Sequence, residues 1–306
     1  MRALVAGATG FVGGKLAALL AEGGTEVRCL VRDRGSARAR ELEHAGHDLH
    51  EGDVLDRASL RGAGGGIDVA YYLVHSMGRG GDGDFAARER AAAENFAGLA
   101  REEGVGRVVY LGGLGEDPGS KHLRSRQETA RILEREGPPL TYFRAGMVIG
   151  SASESYRTLR YLVERLPVMV APAWLRTKTQ SIAIDDVLAY LAEAPDVPDS
   201  AGREVQIGGP DVLSYADLLR MMARVLGKRP RPMLPVPLLT PWLSSLWIGL
   251  VTPVDPGVAR PLVEGLATET VVTDPSGASL FDIAATPTET ALRRALEGEQ
   301  ALQDPP

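Results

Sequence analysis

One cysteine, Cys29, is all the thiol this 306-residue chain carries. An internal disulfide is therefore excluded, and the position of Cys29 inside an apolar run predicts a buried, inert thiol. Basic charge is also scarce: 34 lysines and arginines face 40 aspartates and glutamates, a net charge of −6, with a pI near 5.5. That balance leaves no basic footprint for nucleic acid, and no nucleic-acid partner is expected. Long hydrophobic runs are missing. The longest in the C-terminal half, Leu243 to Val251 within PWLSSLWIGLVTP, is too short to span a bilayer. The first residues already read as a core strand, so no leader segment is expected, and the chain reads as cytoplasmic. No internal repeat or low-complexity tract is evident.

Metal-ligand patterning is absent as well. His44, His47 and His50 are spaced by three, but they straddle a helix end, the Gly46 turn and a strand start, so helical geometry does not align them. No carboxylate or cysteine completes a zinc pattern, and they read as a solvated loop with no metal. The pair Asp185-Asp186 reads as a helix cap, not a catalytic pair.

What the chain does have is Gly7-Ala8-Thr9-Gly10-Phe11-Val12-Gly13-Gly14, directly after the apolar run Ala3 to Ala6. An apolar helix from Phe11 to Leu20 and a second strand from Glu26 to Val31 follow. Strand, glycine turn, helix and strand in that order suit a dinucleotide pyrophosphate. Gly7 allows the tight turn, Gly10 leaves the phosphates unobstructed, and Gly13 lets the helix pack close to the strand. The helix N-terminus offers N–H groups and the positive end of its dipole.

Strands and helices then alternate. Strands are expected at Leu49–Val54 with its turn, Val69–Val74, Arg107–Leu111 and Leu140–Arg144. Helices are expected at Asp84–Glu103, capped by Asp84, and at Lys121–Glu136. This predicts an α/β fold: a Rossmann-type, doubly wound parallel sheet over residues 1–150, with ligands at the C-terminal strand ends. From about residue 151 prolines cluster, and residues 151–306 read as a smaller, mostly helical lobe covering the substrate. In it, Ser214 to Asp217 resembles a capping box opening a helix to Leu226, and Asp185 reads as the cap of a helix reaching Tyr190.

The glycine turn, Glu51-Gly52-Asp53-Val54, Val108 to Leu111 and Tyr142 to Gly146 together resemble the extended and atypical short-chain dehydrogenase/reductases. Tyr71 to Gly78 and His122 to Gln127 are similar to NmrA-like NAD(P)H-binding proteins within that superfamily. The resemblance implies an NAD(P)H-dependent oxidoreductase, and the departures from it bear on mechanism. The superfamily's reductases use a tyrosine with a lysine four residues on; none of the eight tyrosines here has one. His122 and Arg126 stand at the matching helix start, and Gly112-Gly113 replaces the usual serine.

The expected cofactor contacts are Gly7, Ala8, Thr9, Gly10, Phe11, Val12 and Gly13 for the phosphates, and Asp53 and Val54 for the adenine. Leu73, Val74, His75, Leu111, Gly112, Ala145 and Gly146 would flank the nicotinamide, and Arg126 would hold its ribose. At the end of the second strand Val31 takes the place of the acid that binds NAD ribose, and Arg32 follows it. An arginine fork suits a 2′-phosphate, so NADP(H) is favoured over NAD(H). Candidate proton donors are His75, His122, Tyr156 and water; Arg126 cannot supply a proton at neutral pH. The substrate expected is a small or medium apolar carbonyl, quinone or aromatic molecule. Met169, Val170, Trp174, Leu238 and Trp242 to Trp247 are candidates for the pocket wall. The lost tyrosine–lysine pair equally suits a non-catalytic redox sensor or a structural assembly subunit that keeps the cofactor. It disfavours a sugar epimerase. Monomer and homo-oligomer are both compatible with these features.

Overall fold

The computed structural model describes residues 1–74, 85–115, 121–166, 168–171, 173–235 and 268–303. The first half alternates as the apolar pattern requires. Its elements are β1 (Arg2–Ala6), α1 (Phe11–Glu22), β2 (Glu26–Val31), α2 (Ala37–His44), β3 (Asp48–Glu51), β4 (Val69–Tyr72), α3 (Phe85–Glu102), β5 (Arg107–Gly113), α4 (Lys121–Glu136) and β6 (Leu140–Ala145). Ser36 caps α2, its hydroxyl accepting from the Ala39 amide. That satisfies one of the orphan donors of the first turn. Asp84, expected to cap α3, lies outside the described residues.

β7 (Val148–Ile149), α5 (Glu154–Arg165), β8 (Met169–Ala171), β9 (Lys178–Thr179), β10 (Ile182–Ala183), α6 (Ile184–Glu193), β11 (Arg203–Ile207), β12 (Leu213–Ser214), α7 (Tyr215–Val225), β13 (Met233–Pro235) and α8 (Thr288–Gln303) follow. The main sheet has seven strands in the order β11-β6-β5-β4-β1-β2-β3, all parallel. Both faces are covered, which is why β1 is buried from Ala3 to Ala6 with no polar alternation. Val5, Cys29, Tyr71, Val109 and Phe143 point to one face, with α1 and α6. Leu4, Ala70, Tyr72, Tyr110 and Tyr142 point to the other, against α3. Tyr72, Tyr110 and Tyr142 sit side by side in register across β4, β5 and β6. The rings of Tyr110 and Tyr142 stack with centroids 5.2 Å apart.

The sheet does not follow a division at residue 150. β11 returns from late in the chain to pair with β6 along Arg203–Ile207, and Leu191 of α6 shares a core with Leu16 of α1. The rest of the second half builds a separate core around Tyr156, Leu162, Leu218, Met222 and Leu292. Among the described residues it combines its helices with short two-stranded ladders.

Ser214 caps α7 as expected, its hydroxyl accepting from the Asp217 amide. Asp185 does not cap α6: the N-cap is Ala183, with no side-chain bond. Asp186, in the same turn, is buried and accepts from the backbone N–H and hydroxyl of Thr286. Asp186 therefore ties the C-terminal segment to α6. That segment is fastened further along its length. The Val272 amide donates to Gln180, the Thr273 amide to Gln206 and the Thr288 amide to Asp211. Among the described residues no helix is long and apolar enough to cross a membrane; Leu243 to Val251 lies outside them.

Candidate functional site

β1 and β4 are neighbours although β2 and β3 intervene in sequence, so the sheet reverses its winding between them. Such a switch point leaves a crevice at the carboxyl ends of the strands. The glycine turn sits there, and its three glycines differ in what they face. Gly7 has φ +90°, and a Cβ on it would lie 2.5 Å from the Leu73 carbonyl oxygen. A Cβ on Gly13 would collide with the Gly7 carbonyl. Both are therefore glycines because the fold closes on them. A Cβ on Gly10 would meet only the Gly7 oxygen, at 3.2 Å, and otherwise open space. Gly10 is also the N-cap of α1. It brings no side-chain bond, and the first turn contains no acidic residue. Thr9 and Gly10 are exposed, Phe11 and Val12 half-buried, and Ala8 buried. The result is an open cradle of backbone donors at a positive helix end, suited to an anion.

Beside the cradle, β2 ends in buried Val31 and exposed Arg32. The Asp33 carboxylate accepts from the Gly35 amide at 2.7 Å. Arg34 donates to the Leu49 carbonyl and Arg40 to that of Gly35. Arg32 makes no ion pair among the described residues. The loop after β3 is fixed by the Gly52 amide on the Val31 carbonyl, 2.8 Å. The Asp53 carboxylate accepts from the Leu55 amide, and the Val54 carbonyl accepts from Asn95 of α3 at 2.9 Å.

Leu73 and Val74 follow β4; the Leu73 amide donates to Ala6 at 2.9 Å, which brings them beside the glycine turn. The ends of β5 and β6 are joined by the Leu114 amide on the Ala145 carbonyl, 2.8 Å. Leu111 and Ala145 are buried. Gly112 is explained by packing: a Cβ there would stand 2.7 Å from the Tyr142 ring and 2.8 Å from its hydroxyl. Gly146 is closed in by the Gln180 carbonyl. A guanidinium nitrogen of Arg126 would be 3.6 Å from a Cβ on Gly113, so Arg126 does reach the end of β5.

The proton-donor candidates separate sharply. His75 and Ser76 lie outside the described residues, as do Leu238 and Trp242 to Trp247. His122 is in the first turn of α4, and Met169 and Val170 are in β8. Tyr156 is fully buried in the second core, away from the crevice residues. Desolvation pushes its phenol up, and the Glu299 carboxylate adds to that. A phenol so placed does not release a proton near neutrality. Burial likewise raises Tyr71, Tyr72 and Tyr110. Trp174 packs on the second core and meets Tyr215 edge-on, 6.2 Å between centroids.

The histidine series is no solvated loop. His47 is buried, which pulls its pKa down, and a ring nitrogen of His50 bonds the Ser59 carbonyl at 3.0 Å. No group of three metal-ligating side chains occurs among the described residues. Cys29 is buried as expected, its thiol pushed up to about 12 by desolvation.

Two residues escaped the sequence reading. Asn95 holds the loop after β3. Arg144, on β6, is buried and bonds the carbonyls of Gly113 and Gly115 as well as Glu204. Asn95 lies in no motif; Arg144 lies within Tyr142 to Gly146, where the resemblance assigned it no role and only the oddity of an arginine in an apolar strand marked it.

A seven-stranded parallel sheet with an open glycine cradle at its switch point defines a Rossmann-type α/β protein. Residues 1–234 match the NmrA-like family, and the chain belongs to it. It is 28% identical over 239 residues to the protein called NADH dehydrogenase [ubiquinone] 1 alpha subcomplex subunit 9, mitochondrial, of Arabidopsis thaliana. That match covers 75% of this chain but only 59% of the plant protein's length. It is 25% identical over 228 residues to the NAD(P)H azoreductase of Xenophilus azovorans, covering 74% of each. The triphenylmethane reductase of Citrobacter sp., solved with NADP(H), shares the fold with a TM-score of 0.74. Identity is 17%, over 96% of this chain and 99% of that one.

Proposed function

We propose that this chain is an NADPH-dependent reductase acting on a small or medium apolar carbonyl, quinone or aromatic substrate. The observation that carries the reading is Gly10: of the three turn glycines it is the least enclosed by the fold, a Cβ there meeting one backbone oxygen at 3.2 Å and otherwise open space. A cradle kept open at an uncapped helix end fits a pyrophosphate. The relatives named for NAD(P)H azoreduction and for an NADP(H)-bound reductase agree with it.

Backbone amides from Ala8 to Gly13 would hold the phosphates. Asp53 and Val54, kept in place by Asn95, would meet the adenine, and Arg32 the 2′-phosphate. The NADP(H) preference rests on Arg32 being exposed while the neighbouring Asp33 carboxylate is engaged with Gly35. Leu73, Val74, Leu111, Gly112, Ala145 and Gly146 would form the nicotinamide wall, with Arg126 as donor to the ribose. The bound cofactor supplies a hydride. The proton comes from His75, His122 or water, since burial takes Tyr156 out of range.

The test is NADPH oxidation by the purified protein against a panel of quinones, azo dyes and aromatic ketones. Turnover with any of them supports the reductase. A second reading, a dinucleotide-binding redox sensor, is favoured by the buried, raised phenols described above. Tight NADPH binding without turnover selects it.

A further inference from the structure

Arg144 stands where the strand pattern calls for an apolar side chain. It follows Leu140 and Tyr142 on the same face of β6, and only 4% of it is exposed. A buried guanidinium is costly unless every donor finds an acceptor. Here Nε donates to the Gly113 carbonyl at 3.2 Å and Nη2 to the Gly115 carbonyl at 2.9 Å, while Nη1 pairs with Glu204 of β11 at 2.7 Å. Two of its contacts are thus spent on one three-residue stretch, the exit of β5. Gly115 has φ +114°, a conformation that needs holding, and its carbonyl takes a second donor from Gln127 at 3.5 Å. The Leu114 amide between them is tied to Ala145. A guanidinium nitrogen of Arg126 lies 3.6 Å from where a Cβ on Gly113 would stand. The planar fork therefore sets the course of Gly113–Gly115, the stretch beside which the Arg126 guanidinium lies. A local rule broken in a core strand without a packing gain is what a site-organising residue looks like.

We propose that Arg144 is a positioning residue: through Gly113 and Gly115 it holds the exit of β5, beside which Arg126 lies, in the geometry the bound cofactor and substrate need. This rests on the reductase reading for its kinetic consequence, but not for its structural one. Lysine keeps the charge opposite Glu204 and loses the fork, so Arg144→Lys separates the two roles. Glu204→Gln does the converse, leaving both carbonyl contacts in place.

The experiment pairs amide hydrogen exchange, with and without NADPH, with steady-state kinetics. In Arg144→Lys, exchange in peptides covering 111–115 should rise about tenfold or more, the loss expected for charge-assisted hydrogen bonds. Exchange in β1 and α1 should be unchanged. NADPH should slow exchange of 111–115 in the parent and not in the variant. The Kd for NADPH should rise about tenfold, because Arg126 is the ribose donor, and the KM for the acceptor should rise with it. Glu204→Gln should reproduce none of this. Three outcomes would overturn the proposal: loop exchange within about twofold of the parent, a uniform rise across the whole sheet, or Glu204→Gln matching Arg144→Lys. A parent that turns over no acceptor fails the reductase reading alone, and the exchange comparison still decides the role of Arg144.

Discussion

The Tyr142 side chain occupies the room a residue at position 112 would need: its hydroxyl lies 2.8 Å, and its ring edge 2.7 Å, from a Cβ built on Gly112. The resemblance to the short-chain reductases places a serine hereabouts, and this chain has filled that space from the neighbouring strand. Gly112→Ser should therefore not restore a lost catalytic group. It should destabilise the fold by about 1–3 kcal/mol through overpacking. Shortening the tyrosine in a Gly112→Ser/Tyr142→Val double variant should recover part of that loss. Urea titrations of the two variants against the parent check both statements.

The turn glycines make a matched pair of probes. Gly10→Val should weaken NADPH by at least tenfold in calorimetry, because its side chain enters the open cradle, and should cost less stability than Gly13→Ala, since its Cβ meets one backbone oxygen at 3.2 Å. Gly13→Ala should do the reverse in part. It should lower stability by roughly 1–3 kcal/mol, since its methyl would collide with the Gly7 carbonyl. Unaltered NADPH affinity in Gly10→Val would move the phosphates elsewhere.

Arg32→Ala should weaken NADPH about tenfold or more while changing NADH little, the cost of one charge-assisted contact to a phosphate being about 1.5–3 kcal/mol. Equal losses for both cofactors would remove Arg32 from the 2′-phosphate. Asp33→Ala is the natural companion. Its carboxylate shapes the loop through the Gly35 amide, so it should affect both cofactors alike.

Acid should destabilise the protein in a window assigned to His47. Burial lowers its pKa in the folded state from 6.5. The unfolded chain therefore binds the extra proton first, and stability rises with pH across the gap. The contribution is fully present above about pH 6.5. It is lost as pH falls from there through the lower native value. Between pH 7.5 and 5 the Tm of the parent should fall more than that of His47→Gln. Parallel curves would assign the effect to other groups.

How far the sequence reaches is clearest at the elements themselves. Glu26–Val31 and Lys121–Glu136 fold with the boundaries the residue pattern predicts. Each has its own apolar period and a glycine-marked end, all within one window. Nothing local says that Arg203–Ile207 pairs with β6, because parallel pairing is settled by the tertiary core and not by either strand. The same limit hid Asp186. Read alone it is one of two acids at a helix start, and its partner Thr286 is far away in sequence. The cradle was legible because one contiguous turn builds it. Tyr156 was not, since which core a tyrosine enters depends on helices α7 and α8.

The pairing of β11 with β6 also bears on how the chain is made. β6 is finished at Ala145, but its partner begins only at Arg203. At about 5–20 residues per second, a ribosome leaves that flank without a neighbour for several seconds. During that time Leu140 to Ala145 presents a bare ladder of amides and carbonyls, with apolar side chains on both faces. Such an edge is a template for strands of other nascent chains. Among the early strands, this is the point at which yield in a crowded expression host should depend on chaperone capture and on translation speed.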